Sequence, residues 1–460
     1  MNFVAPCIAH KESMSQKIKI LTLSDHPLSP SGVGTQTKYF ITSLLDTGKF
    51  SFYSLGGAIK HNDYNIIKTE EYKDDWIIQP VDGYGTQETI RSILRFYKPD
   101  ILWFMTDPRF YGWLWDIENE IRSLVPMVYY HVWDNFPYPQ YNQVWYESTD
   151  YVATISKLTS DIVRNVAPST SEAYIPHAIP SDMFTVRPKE DVKRFRRDIL
   201  KLNDENFCVF WNNRNARRKQ SGSLIFWFKE FLDKLEKEHG HRNSTLVMHT
   251  DPRDGNGQDL YAIANHLGLI EGRNLLFSAE KIGPEQLSYF YNSADVSIST
   301  SDAEGFGLFT FESMACGTPI IATLTGGLQE QVLDLSTITY TDIKKRQTDL
   351  QGKCLETPYG IGMEPASKAI IGSQQVPYIY EDRLSQQQVV EALMRMYEYG
   401  DDKRTELGKN CREKILKDYS FENFKKSWEE LMLEVHEKCG SWETRKNYKA
   451  WELIKVWKEF

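Results

Sequence analysis

Short apolar segments alternate with amphipathic ones through most of the chain, and this alternation restricts the fold more than any other feature of the sequence. Apolar strands followed by amphipathic helices are typical of parallel α/β sheets. The pattern predicts two series of strands, over 17–23, 51–55, 75–81, 101–105, 126–131 and 151–155, and then over 207–211, 245–249, 274–278, 296–299 and 319–322. Two doubly wound sheets of this kind bind ligands at the carboxyl ends of their strands. The sequence therefore predicts an α/β protein with two Rossmann-like domains facing across a cleft.

The segments between the strands predict helices over 35–46, 87–97, 221–237, 257–267, 284–292 and 309–316, and from about residue 385 the sequence is helical to its end. Three prolines followed by a charge run over 175–195 mark a joint between the two series. We expect four parts: an extension over 1–16, an N-terminal Rossmann-like domain over 17–185, a C-terminal Rossmann-like domain over 186–418, and C-terminal helices over 419–460.

Composition excludes several classes of protein. At 460 residues, with 41% apolar and 25% charged residues, the chain has the composition of a soluble protein with more than one core. No apolar run approaches the ~18 residues of a membrane-spanning helix, and the start lacks the apolar core of a signal peptide. The six cysteines are scattered without a C-x-x-C pair, which argues against a disulfide framework or a zinc site. We expect a cytoplasmic monomer or homodimer.

The net charge of −9 gives no general attraction to nucleic acid or to an anionic membrane, although a local basic groove stays compatible with it.

The stretch "EGFGLFTFESMACGTPIIAT" places Glu304 in a glycine-rich turn and Glu312 within a predicted helix. Leu308, Phe311 and Ala315 recur at helical spacing and are expected to face the core, with Glu312 on the same stripe. A carboxylate in that position is costly unless it is hydrogen-bonded. The vicinal hydroxyls of a ribose or hexose would provide such partners, and a salt-bridged core glutamate is the alternative.

Two other stretches suit phosphate groups. The amides of Gly305, Phe306, Gly307 and Leu308 precede or open the predicted helix, where an anion is favoured. The loop "WNNRNARRKQSG" follows the first strand of the second series and contains four cations, Arg214, Arg217, Arg218 and Lys219. It is either a solvated basic loop or a set of fixed cations that hold a diphosphate. With the two glutamates, it indicates a site for a nucleotide sugar.

A further glycine pair, Gly32 and Gly34, lies where the first strand turns into a helix. Backbone without side chains can approach a phosphate there, although such a turn is often only a turn. No acidic residue after the second strand is placed for a dinucleotide ribose, so NAD binding is disfavoured.

These motifs together resemble those of retaining glycosyltransferases of family 4, which have the GT-B fold. "EGFGLFTFESMACGTPIIAT" with "TGG" at 325–327 is similar to the family's E-x7-E signature. "SGVGTQTKYFITSLL" is similar to the family's glycine-containing turn after the first strand, with Ser31 where the first glycine is usual. "NRNARRKQ" resembles the Arg-x4-Lys element, and "VYYHVWDN" resembles the segment whose histidine lies beside the donor sugar. "YIPHAIPSDMF" resembles the interdomain segment, with His177 where asparagine is common.

The resemblance implies that 17–185 is the acceptor domain, that 186–418 is the nucleotide-sugar donor domain, and that the helices over 419–460 pack back on the N-terminal domain. It also implies a role for each matched residue. Glu312 would bind the nucleotide ribose and Glu304 the transferred sugar, while Arg214 and Lys219 bind the donor diphosphate and His131 lies beside the sugar. The catalytic residues expected from it are His131, Glu304, Arg214 and Lys219, and the nucleotide-binding residues are Gly32, Gly34, Arg214, Lys219, Gly305, Phe306, Gly307, Leu308 and Glu312. It further implies that neither a metal nor a cofactor is needed, and that the donor, a UDP-sugar by preference, is attacked from the face that its diphosphate leaves.

The acceptor is the open part of this prediction. A glycan, another small molecule and hydroxymethylated DNA are the three candidates. DNA is included because "LSDHPLSPSGVGTQTKYF" and "TDPRFYGWLW" resemble glycosyltransferases of tailed phages, some of which modify hydroxymethylated bases. Asp107 and Asp134 are candidate acceptor contacts. For DNA, Arg194, Arg196 and Arg197 with the tryptophan-rich tail would supply contacts to a duplex, whereas packing of that tail on the first domain is the alternative.

Two other functions are compatible with the same motifs. A sugar-nucleotide epimerase or a phosphorylase would use this fold for other chemistry. A non-catalytic protein that binds carbohydrate or sugar nucleotides would have little reason to keep both glutamates beside the cations.

Overall fold

The structure is a computed structural model that describes residues 17–134, 137–334 and 351–451. The predicted extension over 1–16 and the tail beyond Trp451 lie outside the described residues. The strands are β1 Ile18–Asp25, β2 Phe50–Gly57, β3 Ile67–Lys68, β4 Trp76–Pro80, β5 Ile101–Met105, β6 Met127–His131, β7 Tyr151–Thr154, β8 Ser171–Tyr174, β9 Phe207–Asn212, β10 Ser244–His249, β11 Leu275–Ser278, β12 Val296–Ser299, β13 Ile320–Thr323, β14 Cys354–Thr357, β15 Gly360–Met363, β16 Ser367–Ile371 and β17 Ile379–Arg383.

The helices include the six that the sequence predicts between the strands, but the prediction of helix to the end of the chain is wrong for 440–451, where the only helical segment is the short 3-10 helix Trp442–Thr444. The α-helices are α1 Gly32–Leu45, α2 Gln87–Phe96, α3 Gly112–Trp115, α4 Glu118–Arg122, α5 Gln143–Glu147, α6 Lys157–Val166, α7 Lys189–Asp198, α8 Ser221–His239, α9 Leu260–His266, α10 Pro284–Ser293, α11 Leu308–Ala315, α12 Gln329–Val332, α13 Gln386–Glu398, α14 Gly400–Asp418 and α15 Phe421–Cys439.

The two predicted series of strands form two separate sheets. The first has the order β3-β4-β2-β1-β5-β6-β7-β8 and the second the order β11-β10-β9-β12-β13-β15-β14. In the second sheet β14 runs antiparallel to β15, whereas the other pairings are parallel. A third sheet is the antiparallel hairpin β16–β17. The predicted two-domain α/β fold is confirmed; the strands β14 to β17 were not predicted, because 323–385 has no clear apolar alternation.

By its internal packing the chain divides into two compact units. Within the described residues one comprises 17–104, 119–127 and 432–451, and the other comprises 105–118 and 128–431. The predicted domain limits at 185 and 418 stay predictions.

In the first unit, the start of α1 shows why two glycines follow β1. The Ser31 hydroxyl donates to Asp25 (2.6 Å) and accepts from the Gly34 amide (2.9 Å), so Ser31 caps the helix. A side chain at Gly34 would come within 2.6 Å of the His26 carbonyl. Gly34 is therefore required by packing, and its amide is already bonded, while Gly32 is exposed. Their predicted contact with a ligand stays a prediction.

The end of the described chain packs within this same unit. The Trp442 indole donates to the Pro99 carbonyl (2.9 Å), and the Ser441 hydroxyl donates to Asp100 (2.7 Å). Arg445 donates to the Arg122 carbonyl (2.7 Å). Residues 441–445 are thus held by hydrogen bonds to the loops around β5 and α4.

Candidate functional site

The centre of the site is an ion pair between Lys219 and Glu304. Lys219 ends the turn between β9 and α8, and Glu304 lies in the loop between β12 and α11. The Lys219 ammonium donates to the Glu304 carboxylate, and only 10% and 15% of the two side chains are exposed. Burial would raise the pKa of Glu304, but the charges of Lys219 and Arg218 outweigh it, so the pKa is lowered. Glu304 is therefore an ionised carboxylate in a largely enclosed site.

Arg218 is a second cation at this pair. Its guanidinium lies 3.7 Å from the Glu304 carboxylate and donates to the Ala303 carbonyl (2.6 Å). Burial and this neighbouring charge both lower the pKa of Lys219, in part offset by Glu304. Sequence analysis named Arg218 among the four cations of the basic loop but not among the catalytic or nucleotide-binding residues; its position next to Lys219 was the available signal.

Arg214, the other predicted diphosphate ligand, lies elsewhere in the loop. Its side chain is 64% exposed and forms a bidentate pair with Asp254 (2.7 and 3.2 Å). This pair lowers the pKa of Asp254 to about 2. The structure thus joins Lys219 and Arg218, rather than Arg214, to the first glutamate of the motif.

The glycines around Glu304 permit close backbone contacts. A side chain at Gly305 would lie 2.9 Å from the Val132 carbonyl, and one at Gly326 would lie 2.2 Å from the Glu304 carbonyl. Gly307 has φ +87° and precedes the first residue of α11. Phe306 is buried, with its ring 5.1 Å from His177. These contacts fix the backbone of residues 304–308, which we call the glycine loop, from several sides.

The second glutamate of the motif has a different environment. Glu312 accepts a hydrogen bond from the Tyr291 hydroxyl (2.5 Å), which in turn accepts one from Asn212 (3.0 Å). Burial raises the pKa of Glu312 to about 7, although the bond from Tyr291 opposes the shift. The expectation that Leu308 faces the core is wrong in part. As the first residue of α11 it is only half-buried, whereas Phe311 is fully buried.

His131, predicted beside the donor sugar, is enclosed by protein. Its exposed fraction is 0%, and its Nε2 lies 2.6 Å from the Tyr146 hydroxyl. Burial lowers its pKa to about 3, so the imidazole is neutral. Its Nδ1 has no hydrogen-bond partner among the described residues. His177 is likewise buried, with Nδ1 2.8 Å from the Tyr130 hydroxyl.

Asp134 follows β6 and is half-buried next to the glycine loop. A side chain at Gly305 would lie 3.6 Å from the Asp134 Cβ. Burial raises the pKa of Asp134 to about 6, while the charge of Arg218 opposes this and that of Glu304 adds to it. The other candidate acceptor contact, Asp107, binds Arg109 through both carboxylate oxygens (3.0 and 2.9 Å).

A network of charges joins the hairpin β16–β17 to the basic loop. Glu381 accepts two hydrogen bonds from Arg217 (2.8 and 2.6 Å) and one from Arg383 (2.8 Å). Arg383 also pairs with Asp302, which accepts from Gln220 (2.7 Å). The hairpin therefore supports Arg217 and Gln220, which lie on either side of Lys219 in the sequence. It also supports Asp302, which lies two positions before Glu304. Sequence analysis missed this network because no strand was predicted there.

A further hydrogen bond connects α12, which follows the "TGG" segment, to α6. Glu330 is buried and accepts from the Leu158 amide (3.0 Å) at the start of that helix. Burial raises the pKa of Glu330 to about 7, and the helix amides oppose the shift.

Within the described residues, one group of three side chains has the spacing of a metal site, the exposed Glu238, His239 and Glu398. None of these is a site residue. No helix in the described ranges has the length and apolar character to cross a membrane.

Comparison with known proteins relates this geometry to a family. Residues 230–350 match the family model of glycosyl transferases group 1. The matched segment contains Glu304, Glu312 and the glycine loop between them. The chain is 39% identical over 165 residues to D-inositol 3-phosphate glycosyltransferase of Acidothermus cellulolyticus, which is 35% of this chain and 34% of the relative. A second D-inositol 3-phosphate glycosyltransferase, from Catenulispora acidiphila, is 26% identical over 168 residues, or 34% and 38% of the two chains. The chain thus spans little more than a third of the length of these curated relatives.

Solved structures extend the likeness to most of the chain. Sucrose-phosphate synthase of Thermosynechococcus elongatus has a TM-score of 0.66 at 18% identity, over 92% of this chain and 100% of that one. Anabaena Alr3699/HepE, solved with UDP and glucose, has a TM-score of 0.62 at 13% identity, over 91% and 100%. The fold is GT-B.

Proposed function

We propose that this protein is a retaining glycosyltransferase that moves a sugar from a nucleoside diphosphate sugar to an acceptor hydroxyl. The observation that carries the proposal is the arrangement of Lys219, Arg218 and Glu304, with Glu312 at the other end of the same motif. Two cations supply charge for a diphosphate, and two carboxylates supply acceptors for sugar hydroxyls. The group 1 domain and the GT-B fold support the same assignment.

The proposed residue roles combine this arrangement with the roles that the resemblance implies. Lys219 and Arg218 would stabilise the charge that develops on the leaving diphosphate. Glu304 would accept from the transferred sugar, and Glu312 from the ribose. Arg214, Gly32, Gly34, the amides of 305–308 and His131 keep the roles that the resemblance implies as proposals.

We favour UDP as the carrier, because the structural relatives of this fold include Alr3699/HepE with UDP and glucose and with UDP-glucose. The cations fixed beside Glu304 support a reaction in which no metal is needed to neutralise the diphosphate. We also propose that the protein acts in the cytoplasm as a monomer or homodimer.

A panel of UDP-, GDP- and ADP-sugars, each with and without acceptors and with EDTA, tests the proposal. Transfer in EDTA with retained anomeric configuration, read by NMR of the product, is the expected result. Loss of activity in EDTA that manganese or magnesium restores would contradict metal independence. Epimerised sugar nucleotide, phosphorolysis, or tight binding without turnover would each identify one of the alternative functions.

A further inference from the structure

Asp134 carries a half-buried carboxylate that has no partner among the described residues. Within 17–134, 137–334 and 351–451 its side chain accepts no hydrogen bond and forms no ion pair, and the charged groups around it act on it at longer range. The nearby carboxylates differ in this respect, since Glu304 pairs with Lys219 and Asp107 pairs with Arg109. A buried charge is costly unless it gains partners. A ligand is the natural source of the missing donors.

The place of Asp134 is next to the group that we assign to the transferred sugar. A side chain at Gly305 would lie 3.6 Å from the Asp134 Cβ, and one at Gly326 would lie 2.9 Å from the Asp134 carbonyl. Asp134 therefore packs against the glycine loop and against the "TGG" segment. The charges of Glu304, Arg218 and Lys219 all act on its carboxylate.

A second group, formed by Asp107, Arg109 and Tyr141, also acts electrostatically on the Asp134 carboxylate. Arg109 and Tyr141 each interact electrostatically with both aspartates. The Tyr141 hydroxyl donates to the Tyr378 carbonyl (2.6 Å), and the two rings lie 5.0 Å apart. Tyr141 thus connects this group to the segment that leads into β17.

We propose that Asp134 accepts a hydrogen bond from a hydroxyl of an uncharged polyhydroxyl acceptor, bound between Glu304 and the group of Asp107, Arg109 and Tyr141. This inference rests on the proposed function, because the identity of the neighbouring group as a sugar site comes from it. Asp134 is an acceptor-binding residue in this assignment.

The charges at this place favour an uncharged acceptor over a phosphorylated one. Three carboxylates, Asp107, Asp134 and Glu304, balance three cations, Arg109, Arg218 and Lys219, before any ligand binds. Two of the cations face the proposed diphosphate. Arg109 uses its Nε and Nη2 on Asp107. A phosphate on the acceptor would therefore meet the Asp134 carboxylate without a cation to offset it, at a cost of like-charge repulsion.

The test uses the full chain, first saturated with UDP as followed by calorimetry, and then titrated by NMR with glucose, maltose and glucose 6-phosphate. Asp134→Asn keeps the shape and removes the charge, Asp134→Ala removes the acceptor, and Asp233→Asn on α8 is the matched control. Asp233 pairs with Lys229 and has no part in the proposed site.

We expect maltose or glucose to bind the wild type, and Asp134→Asn and Asp134→Ala to weaken that binding at least about 10-fold, the scale of a hydrogen bond to a charged group. UDP affinity should stay within twofold in every variant, which also shows that each one is folded. Tighter binding of glucose 6-phosphate than of glucose, no binding of either uncharged sugar, or unchanged binding in both Asp134 variants would overturn the inference. Failure of the wild type to bind any nucleoside diphosphate or nucleotide sugar would instead refute the proposed function.

Discussion

The two glutamates of "EGFGLFTFESM" have opposite electrostatic states although they belong to one motif. Two cations act on Glu304 and lower its pKa in spite of burial. Among the described residues Glu312 has only the Tyr291 hydroxyl as a hydrogen-bond partner, and burial raises its pKa to about 7. Burial acts on both, so the difference comes from the charged neighbours. A carboxylate near neutrality can bind a ligand in a pH-dependent way, while a paired one keeps its charge.

Lys219 should contribute mainly to the rate of transfer. We expect Lys219→Ala to lower kcat by ~10²-fold or more, the scale of losing one preorganised group that stabilises transition-state charge. Lys229→Ala is the control, since Lys229 pairs with Asp233 on the surface of α8. Initial rates over a range of donor concentrations separate the effects. A rise in KM with kcat unchanged would mean that Lys219 binds only the ground state.

Glu312 should make stability and nucleotide binding respond to pH in opposite directions. Its folded pKa of about 7 exceeds the ordinary 4.5, so its contribution to stability is complete below about pH 4.5 and is lost as the pH rises through 7. Glu312→Gln removes the buried charge and should raise the free energy of unfolding at pH 8.5 by about 1–3 kcal/mol, with little effect at pH 4.5.

Urea unfolding at the two pH values measures the difference. In the wild type, UDP binding should weaken as the pH falls below 7, because the protonated carboxyl accepts fewer ribose hydrogen bonds. Equal stability effects at both pH values would mean that Glu312 is not the titrating group. Glu304→Gln should spare UDP binding, and calorimetry on both variants would show whether the two glutamates serve different parts of the donor.

At the scale of elements, the hairpin β16–β17 supports the loop that carries Lys219. Glu381 has 4% of its side chain exposed and joins Arg217 to Arg383, and Arg383 pairs with Asp302. Asp302 in turn donates its amide to the Arg218 carbonyl (2.8 Å). Removing one partner of a buried charge pair leaves the other charges uncompensated.

Glu381→Gln should therefore loosen residues 214–220. We expect amide hydrogen exchange in this loop to become at least ~10-fold faster, since breaking charged hydrogen bonds of ~1.5–3 kcal/mol permits local opening. The rate of transfer should fall more than UDP affinity. Glu356→Gln, at a side chain that is 62% exposed and 3.6 Å from Arg395, is the control. Unchanged exchange in 214–220 would show that the loop holds its shape without the hairpin.

For the molecule as a whole, the segment after α15 contributes to the stability of the first compact unit. The Trp442 backbone amide donates to the Leu124 carbonyl (2.6 Å), and its indole donates to Pro99 (2.9 Å). Trp442→Ala should lower the free energy of unfolding by about 2–4 kcal/mol. This is at or below the usual loss for truncating a large core aromatic residue, because Trp442 is only partly buried. Chemical denaturation checks it, with Trp113→Ala as a second tryptophan variant for comparison. A change below about 0.5 kcal/mol, the usual range for surface substitutions, would mean that the segment packs without adding stability.

The charge of the whole molecule also bears on the DNA alternative. Arg196 is 12% exposed and binds Asp295 and the Ser293 carbonyl, so this arginine serves the packing of α7 rather than a duplex. Arg194 and Arg197 stay exposed beside Asp191 and Asp198. With a net charge of −9, we expect no binding of hydroxymethylated duplex in a salt-series gel shift. Binding that weakens by about one logarithmic slope unit per phosphate contact, together with label transfer to the DNA, would restore that acceptor.

The periodicity of the sequence was sufficient to predict the two-domain α/β arrangement, because the apolar pattern of a strand such as β12 lies within its own residues. The predicted 296–299 matches Val296–Ser299, and the helix predicted over 284–292 matches Pro284–Ser293. Apolar repeats determine these elements because burial depends on which face of a strand or helix an apolar side chain occupies.

The same local information was enough for Lys219 and Glu304 as candidates, but their pairing joins residues 85 positions apart. Which cation of the basic loop meets the glutamate depends on side-chain direction after β9: Lys219 and Arg218 lie at Glu304, whereas Arg214 pairs with Asp254. The network around Glu381 depends on contacts between elements. The isolation of the Asp134 carboxylate depends on the absence of a partner among the described residues. Neither leaves a periodic signal in the sequence, because a long-range contact is fixed only when the sheets and loops have packed.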